Sequence, residues 1–277
     1  DFFSEKASYD GQNLFLEGSV ELESDLGLMK ADQATLLKTG TSNETEFSVI
    51  ELKGQVFFDL RSEAQLSCKE AQFNMISLQG SFASSDPHVY YQDYFVEKGK
   101  LLEISSKEID FSLCKNMTEK SEGKFEVSSL IAKNNVQIEY ANTYFFEADH
   151  ARYVNTQDKQ RTLETFTNDE NIFCTFTTGA HKLRAKAIEF DLNKEELILD
   201  KPLGEISSFL FYPSEERLCT FRSNMLFWSH RNRFLHLEKE IEIQDEYFGG
   251  MQGKENLFIY QNEEHGKHVI QKIVAQG

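Results

Sequence analysis

The sequence predicts an all-β fold: a repetitive, mostly antiparallel, twisted stack of strands with a period of about 37 residues. Three observations carry that prediction. A six-residue phrase returns along the chain at a nearly constant interval, and an alternating seven-residue phrase precedes it in several periods. The composition also suits sheet, with 24 Phe and 10 Tyr against 3 Pro in 277 residues. Aromatic and β-branched side chains fill a pleated surface well, and a period of this size marks a stacked architecture.

The six-residue phrase reads Ala31-Asp32-Gln33-Ala34-Thr35-Leu36, Cys68-Lys69-Glu70-Ala71-Gln72-Phe73, Ser106-Lys107-Glu108-Ile109-Asp110-Phe111, Ala148-Asp149-His150-Ala151-Arg152-Tyr153 and Ala185-Lys186-Ala187-Ile188-Glu189-Phe190. Echoes begin at Arg222 and Gly253, so the starts step by 37, 38, 42, 37, 37 and 31 residues. The slot is small, polar, polar, apolar, polar, large apolar. In a helix the sixth position would point about 140° away from the first. A strand that bends once, letting two polar residues pass outside before alternation resumes, brings all three apolar positions to one face.

The seven-residue phrase reads Leu16-Glu17-Gly18-Ser19-Val20-Glu21-Leu22 and Leu52-Lys53-Gly54-Gln55-Val56-Phe57-Phe58. It recurs without the glycine as Ala132-Lys133-Asn134-Asn135-Val136-Gln137-Ile138, and with lysine in the glycine slot as Leu237-Glu238-Lys239-Glu240-Ile241-Glu242-Ile243. Strict alternation over seven residues is the half-buried strand signal. Glycine in mid-strand costs propensity, so its return implies a kink or a close backbone approach. Each period therefore reads as two or three strands folding back over one apolar layer.

No Gly-, Ser- or Pro-rich linker interrupts this alternation, and residues 1–277 are expected to form one elongated repeat domain. An irregularity is expected near 155–172, where Asn155-Thr156-Gln157-Asp158-Lys159-Gln160 has turn composition. No stretch approaches the roughly 18 apolar residues of a membrane span. The chain opens Asp1-Phe2-Phe3-Ser4 without Met, which fits removal of a leader or anchor. It closes on Ile270-Gln271-Lys272-Ile273-Val274-Ala275-Gln276-Gly277, similar to Val49-Ile50-Glu51-Leu52-Lys53-Gly54, as though a further strand followed.

A formal charge of −17 argues against nucleic-acid binding, which depends on Lys and Arg neutralising phosphates. The charge is uneven. Residues 1–27 carry seven acids against Lys6, whereas 217–239 carry Arg217, Arg222, Arg231, Arg233 and Lys239 against Glu238. This second segment also holds Phe227, Trp228, His230, Phe234 and His236. It reads either as a solvated strand face over core aromatics or as a docking patch for a phosphate-bearing ligand or an acidic partner.

The four cysteines fall at 68, 114, 174 and 219, with no C-x-x-C and no common phase in the repeat, so neither a zinc site nor stacked disulfides are expected. Cys68 fills a small inward slot and reads as a buried small hydrophobe. No H-E-x-x-H, G-x-S-x-G or glycine-rich phosphate loop is present. The histidines of His265-Gly266-Lys267-His268 read as a solvated turn. No catalytic residues, metal or cofactor are therefore assigned, and the chain is not expected to be an enzyme.

Leu16-Glu17-Gly18-Ser19-Val20-Glu21-Leu22 followed by Leu28-Met29-Lys30-Ala31-Asp32-Gln33-Ala34-Thr35-Leu36 resembles the repeat of the OstA-like family. The lipopolysaccharide-transport proteins LptA and LptC and the periplasmic part of LptD belong to that family. The pairing recurs at 47–73 and in altered form at 127–153, 235–258 and 265–277. The resemblance implies a twisted β-taco or β-jellyroll with an apolar groove for the acyl chains of lipopolysaccharide. It also implies a periplasmic location and open sheet edges that join other OstA-like proteins, or further copies of the chain, into a bridge towards the outer membrane.

On this reading Leu16, Val20, Leu22, Leu36, Leu52, Val56, Phe58, Phe73, Ile109, Phe111, Val136, Ile138, Tyr153, Ile188 and Phe190 line one continuous apolar surface that carries lipid passively. Core packing alone would use the same residues. Two other readings therefore stay open: an envelope scaffold whose groove is filled by its own side chains, and a carbohydrate-binding right-handed β-helix.

Overall fold

The computed structural model describes residues 1–38, 47–60, 64–95, 99–115, 125–179, 181–207, 218–245, 249–264 and 267–277. Among these there is no helix, and every strand pairing is antiparallel. The chain divides into two compact units, 1–142 with 154–159 and 143–153 with 160–277.

The first unit contains β1 (Phe2–Phe3), β2 (Lys6–Tyr9), β3 (Leu14–Ser24), β4 (Gly27–Leu37), β5 (Val49–Leu60), β6 (Ala64–Asn74), β7 (Gln79–Ala83), β8 (Val89–Phe95), β9 (Lys100–Ser106), β10 (Glu108–Lys115) and β11 (Phe125–Tyr140). Its long strands each serve two sheets. The outer halves of β3, β4, β5 and β6 pair in sequence, and the later half of β6 continues through β7 and β10 to the first half of β11. The earlier half of β6 instead pairs with β8, which leads through β9 to the last residues of β11. The register shifts in mid-strand, between Glu17 and Val20, Lys30 and Gln33, and Lys53 and Val56. Two sheets thus share bent strands along one line of elbows.

The elbows coincide with the two sequence phrases. In the seven-residue phrase the third and fourth positions are consecutive left-handed residues in all four copies: Gly18 and Ser19 (φ 78° and 46°), Gly54 and Gln55 (72° and 29°), Asn134 and Asn135 (65° and 61°), Lys239 and Glu240 (57° and 49°). Glycine reaches this region freely and asparagine at modest cost, so Asn134 substitutes without great strain. In the six-residue phrase two exposed residues pass the bend between buried ones, as at Cys68, Lys69, Glu70 and Ala71. Its small first residue caps the bend: Cys68 Sγ donates to the carbonyl of Glu70 (3.1 Å) and Ser106 Oγ to that of Glu108 (2.7 Å).

The second unit holds β12 (Tyr144–Asn155, the last two residues grouping with the first unit), β13 (Arg161–Phe166), β14 (Cys174–Thr178), β15 (His181–Ala185), β16 (Ala187–Asp191), β17 (Glu196–Asp200), β18 (Leu203–Ser207), β19 (Leu218–Arg222), β20 (Met225–Ser229), β21 (Phe234–Glu238), β22 (Ile241–Asp245), β23 (Gly249–Gly253), β24 (Asn256–Glu264) and β25 (Lys267–Gln276). One sheet runs β12, β14, β15, β18, β19, β22, β23. The other runs β13, β16, β17, β20, β21, β24, β25. The chain crosses between them at elbows joined by backbone bonds, among them Lys186 N to Asp200 O (3.0 Å), Lys201 N to Asn224 O (2.8 Å) and Lys239 N to Glu255 O (2.7 Å).

The structure moves the last two echoes by one residue. Ser223, not Arg222, caps its bend by donating to the carbonyl of Met225 (2.9 Å), and Leu226 and Trp228 are the buried positions that follow. Leu257 and Ile259 play the same parts after Lys254, so that copy starts one residue beyond Gly253. A right-handed β-helix is also excluded for the described residues, because its rungs stack in parallel whereas these strands pair antiparallel.

Candidate functional site

Alternation sends one side of every strand into the space between the two sheets of its unit. Of the fifteen inward residues, all but Leu36 are buried, with exposures of 8 % or less; Leu36, near the far end of β4, is half-buried. In the first unit Phe58 reaches from one sheet to Phe73, Phe82 and Phe111 on the other, at ring-centroid distances of 5.9, 6.5 and 6.2 Å. Phe111 in turn stacks on Phe73 at 5.7 Å, beneath Gly80. In the second unit Phe146 meets Phe176 at 5.0 Å and Phe190 at 5.5 Å, and Phe176 contacts Trp228 at 5.9 Å across the sheets. Leu16, Val20, Leu22, Leu52, Val56, Ile109, Val136 and Ile138 belong to the first unit's interior, and Tyr153, Ile188 and Phe190 to the second's. Each interior is mostly apolar and occupied by the protein's own rings, although the second unit also buries Arg161, Thr165, Asp245 and Gln261.

The basic patch does not assemble as a single surface. Arg231 and Arg233 lie in the turn between β20 and β21, while Lys239 follows the opposite end of β21, about 17 Å away for a five-residue strand. Lys239 pairs with its neighbour Glu238 at 3.5 Å. Arg222, at the end of β19, pairs with Glu242 of β22 at 2.7 Å. Arg217 lies outside the described residues, as do His265 and Gly266. The aromatic residues of the segment divide between two faces. Trp228 points inward, while Phe227, Phe234 and His236 form an outer ladder with Phe258 and Tyr260, in which His236 stacks on Phe258 at 4.4 Å.

Arg222 has company that its sequence neighbours do not supply. A concavity of about 500 Å³ is lined only by β15, β18, β19, β22 and β23, so it opens on the solvent side of that sheet. Lys182 and Arg184 of β15 are exposed there. The alternating pair in His181-Lys182-Leu183-Arg184-Ala185 is the signal that could have marked them, but nothing in the sequence pairs β15 with β18 and β19. A second concavity of about 460 Å³ on the first unit is of mixed character, lined by Gln72, Asn74, Gln79 and Ser112 but also by Val49, Phe111 and Ile131.

Cys68, Cys114, Cys174 and Cys219 are free thiols. Burial raises Cys68 to about 12 and both Cys174 and Cys219 to about 11, so all three are neutral at ordinary pH. Among the described residues no three of His, Cys, Asp and Glu are grouped as a metal ion would require, and no helix is long and apolar enough to cross a membrane. Neither protein families nor curated proteins yield a match to this chain.

Proposed function

We propose that this chain is a periplasmic lipid-handling β-stack of the OstA-like kind, which holds acyl chains of lipopolysaccharide or a related lipid between its sheets and passes them on by contact with neighbouring proteins. One observation carries the reading. Repeated elbows join two sheets whose facing sides are predominantly apolar, which is the arrangement a passive lipid carrier needs and an enzyme does not. On this reading acyl chains enter from the side away from the elbows, replacing ring contacts with methylene contacts. Each methylene buried contributes about 0.8 kcal/mol, so part of one chain suffices for useful binding. Other OstA-like proteins, or a second copy of this chain, pair with open sheet edges; among the described residues β2, β23 and β25 each pair on one side only.

Native mass spectrometry with and without lipopolysaccharide or its lipid A fragment tests the proposal. A stoichiometric lipid adduct is expected, and a protein that stays bare over a wide lipid excess would contradict it. The near-complete burial of Phe58, Phe73, Phe146 and Phe190 favours a second reading, an envelope scaffold with a self-filled interior. That reading predicts the bare protein.

A further inference from the structure

The outer concavity on β15, β18, β19, β22 and β23 points to a second binding site, unrelated to the apolar interior. Lys182 and Arg184 stand two apart on β15 and so share a face, with Cα atoms about 6.6 Å apart. Arg184 pairs in register with Leu203, which pairs with Arg222, placing the two arginines two strands apart, about 9.6 Å. Leu203 lies between them, and Gly204 contributes backbone to the lining. Among the described residues neither Lys182 nor Arg184 has a charged partner, whereas Arg222 is held by Glu242. Glu205 stands opposite Lys182 in register.

Two cations with no charged partner among the described residues and a third bound to one acid, over a partly apolar floor with Thr220, Gln244 and Gln252 nearby, make an anion site of the size small ligands use. The chain's charge of −17 does not forbid it, because charges beyond about 8 Å are largely screened at physiological ionic strength. We infer that this concavity binds a phosphate monoester carried on a small polar body: the cations take the phosphate, and the amides and the threonine hydroxyl take the body's hydroxyl groups. The same group occurs on a soluble sugar phosphate and on a lipid headgroup, and the experiment separates the two sources.

The intact chain is titrated calorimetrically with glucose 6-phosphate and with glucose, and is floated with phosphatidylcholine vesicles with and without phosphatidic acid. The double variant Lys182→Gln/Arg184→Gln, changed only at exposed positions, is run alongside after its melting curve is matched to wild type. Saturable binding of glucose 6-phosphate but not glucose, weakened at least tenfold in the variant, establishes the site with a soluble ligand. Flotation only with phosphatidic acid, lost in the variant, establishes it with a headgroup. Glu242→Gln, which releases Arg222, is expected to tighten either interaction several-fold. Absence of both interactions in wild type, or undiminished binding in the double variant, overturns the inference. Because lipid A adducts are scored separately, this site and lipid carriage fail independently.

Discussion

Gly54→Ala and Lys239→Gly probe the elbows from opposite directions. Gly54 has φ +72°, and a Cβ there would lie 2.2 Å from Asp32 Oδ2 and 2.9 Å from Asp32 Cβ. Holding an L-residue in the left-handed region costs about 1–2 kcal/mol. The exposed Asp32 side chain must also swing aside, which adds about 0.5–1 kcal/mol if it leaves its rotamer well. Stiffening the unfolded chain returns about 0.4–1 kcal/mol, leaving a loss of about 1–2 kcal/mol. Lys239 already bears the strain at φ +57°. Glycine there removes about 1–2 kcal/mol and costs about 0.5–1 kcal/mol in backbone entropy, for a net gain of roughly 0.5–1 kcal/mol. The ion pair with Glu238 contributes little, because the lysine side chain is 65 % exposed. The assay is thermal and urea unfolding, read by circular dichroism for Gly54→Ala and by the fluorescence of Trp228, the single tryptophan, for Lys239→Gly. At about 4 °C per kcal/mol for a unit of this size, Gly54→Ala melts about 4–8 °C lower and Lys239→Gly about 2–4 °C higher. Lys239→Ala, which keeps the strained backbone, stays near wild type. An unchanged midpoint for Gly54→Ala, or a lowered one for Lys239→Gly, would refute the reasoning.

Gly80→Ala should destabilise the first unit by about 1–3 kcal/mol through overpacking, since its Cβ would lie 2.3 Å from Phe111 Cε1 and 2.9 Å from Phe73 Cδ2; urea unfolding at the wild-type midpoint would contradict this. Val56→Asp places a lone carboxylate at a site 1 % exposed and should cost several kcal/mol, less at acid pH where the group is neutral. Limited proteolysis reads the loss, and wild-type resistance would count against a closed interior. Burial raises the pKa values of Cys68, Cys174 and Cys219 in the folded protein from the ordinary 9.0 to about 12, 11 and 11. Their contribution is therefore complete below pH about 9 and is lost as pH rises towards those folded values. Iodoacetamide at pH 8 should spare these three in the folded protein and label all four cysteines once it is unfolded, because only the thiolate reacts; rapid native labelling of Cys68 would contradict its burial.

Much of this architecture was legible because a strand's period of two leaves a direct trace. Val20, Val56 and Val136 follow the left-handed pair in three copies, and each proves buried. The bend at Cys68-Lys69-Glu70-Ala71 was readable because two polar residues interrupt that period. Repeat spacing misleads where it is taken as the anchor. It aligns the last echoes on Arg222 and Gly253, yet the apolar alternation of Leu226 with Trp228, and of Leu257 with Ile259, sets the true register one residue later. Sequence proximity misled in the basic segment, because in a β-stack nearby residues run to opposite ends of a strand, as Arg233 and Lys239 do. The neighbours of Arg222 come from β15 by way of β18, and strand pairing at that separation leaves no local signal.

Leu36 and Thr35 offer the most direct test of lipid carriage, since adjacent strand residues face opposite sides at similar, intermediate exposure. A photo-crosslinking phenylalanine analogue is introduced at each position and irradiated with lipopolysaccharide, and the adducts are resolved by gel shift. The account predicts a lipid adduct from the inward position 36 and none from position 35. Equal adducts from both, or none from position 36 while the protein remains folded, would contradict it and leave the self-filled scaffold as the reading of this fold.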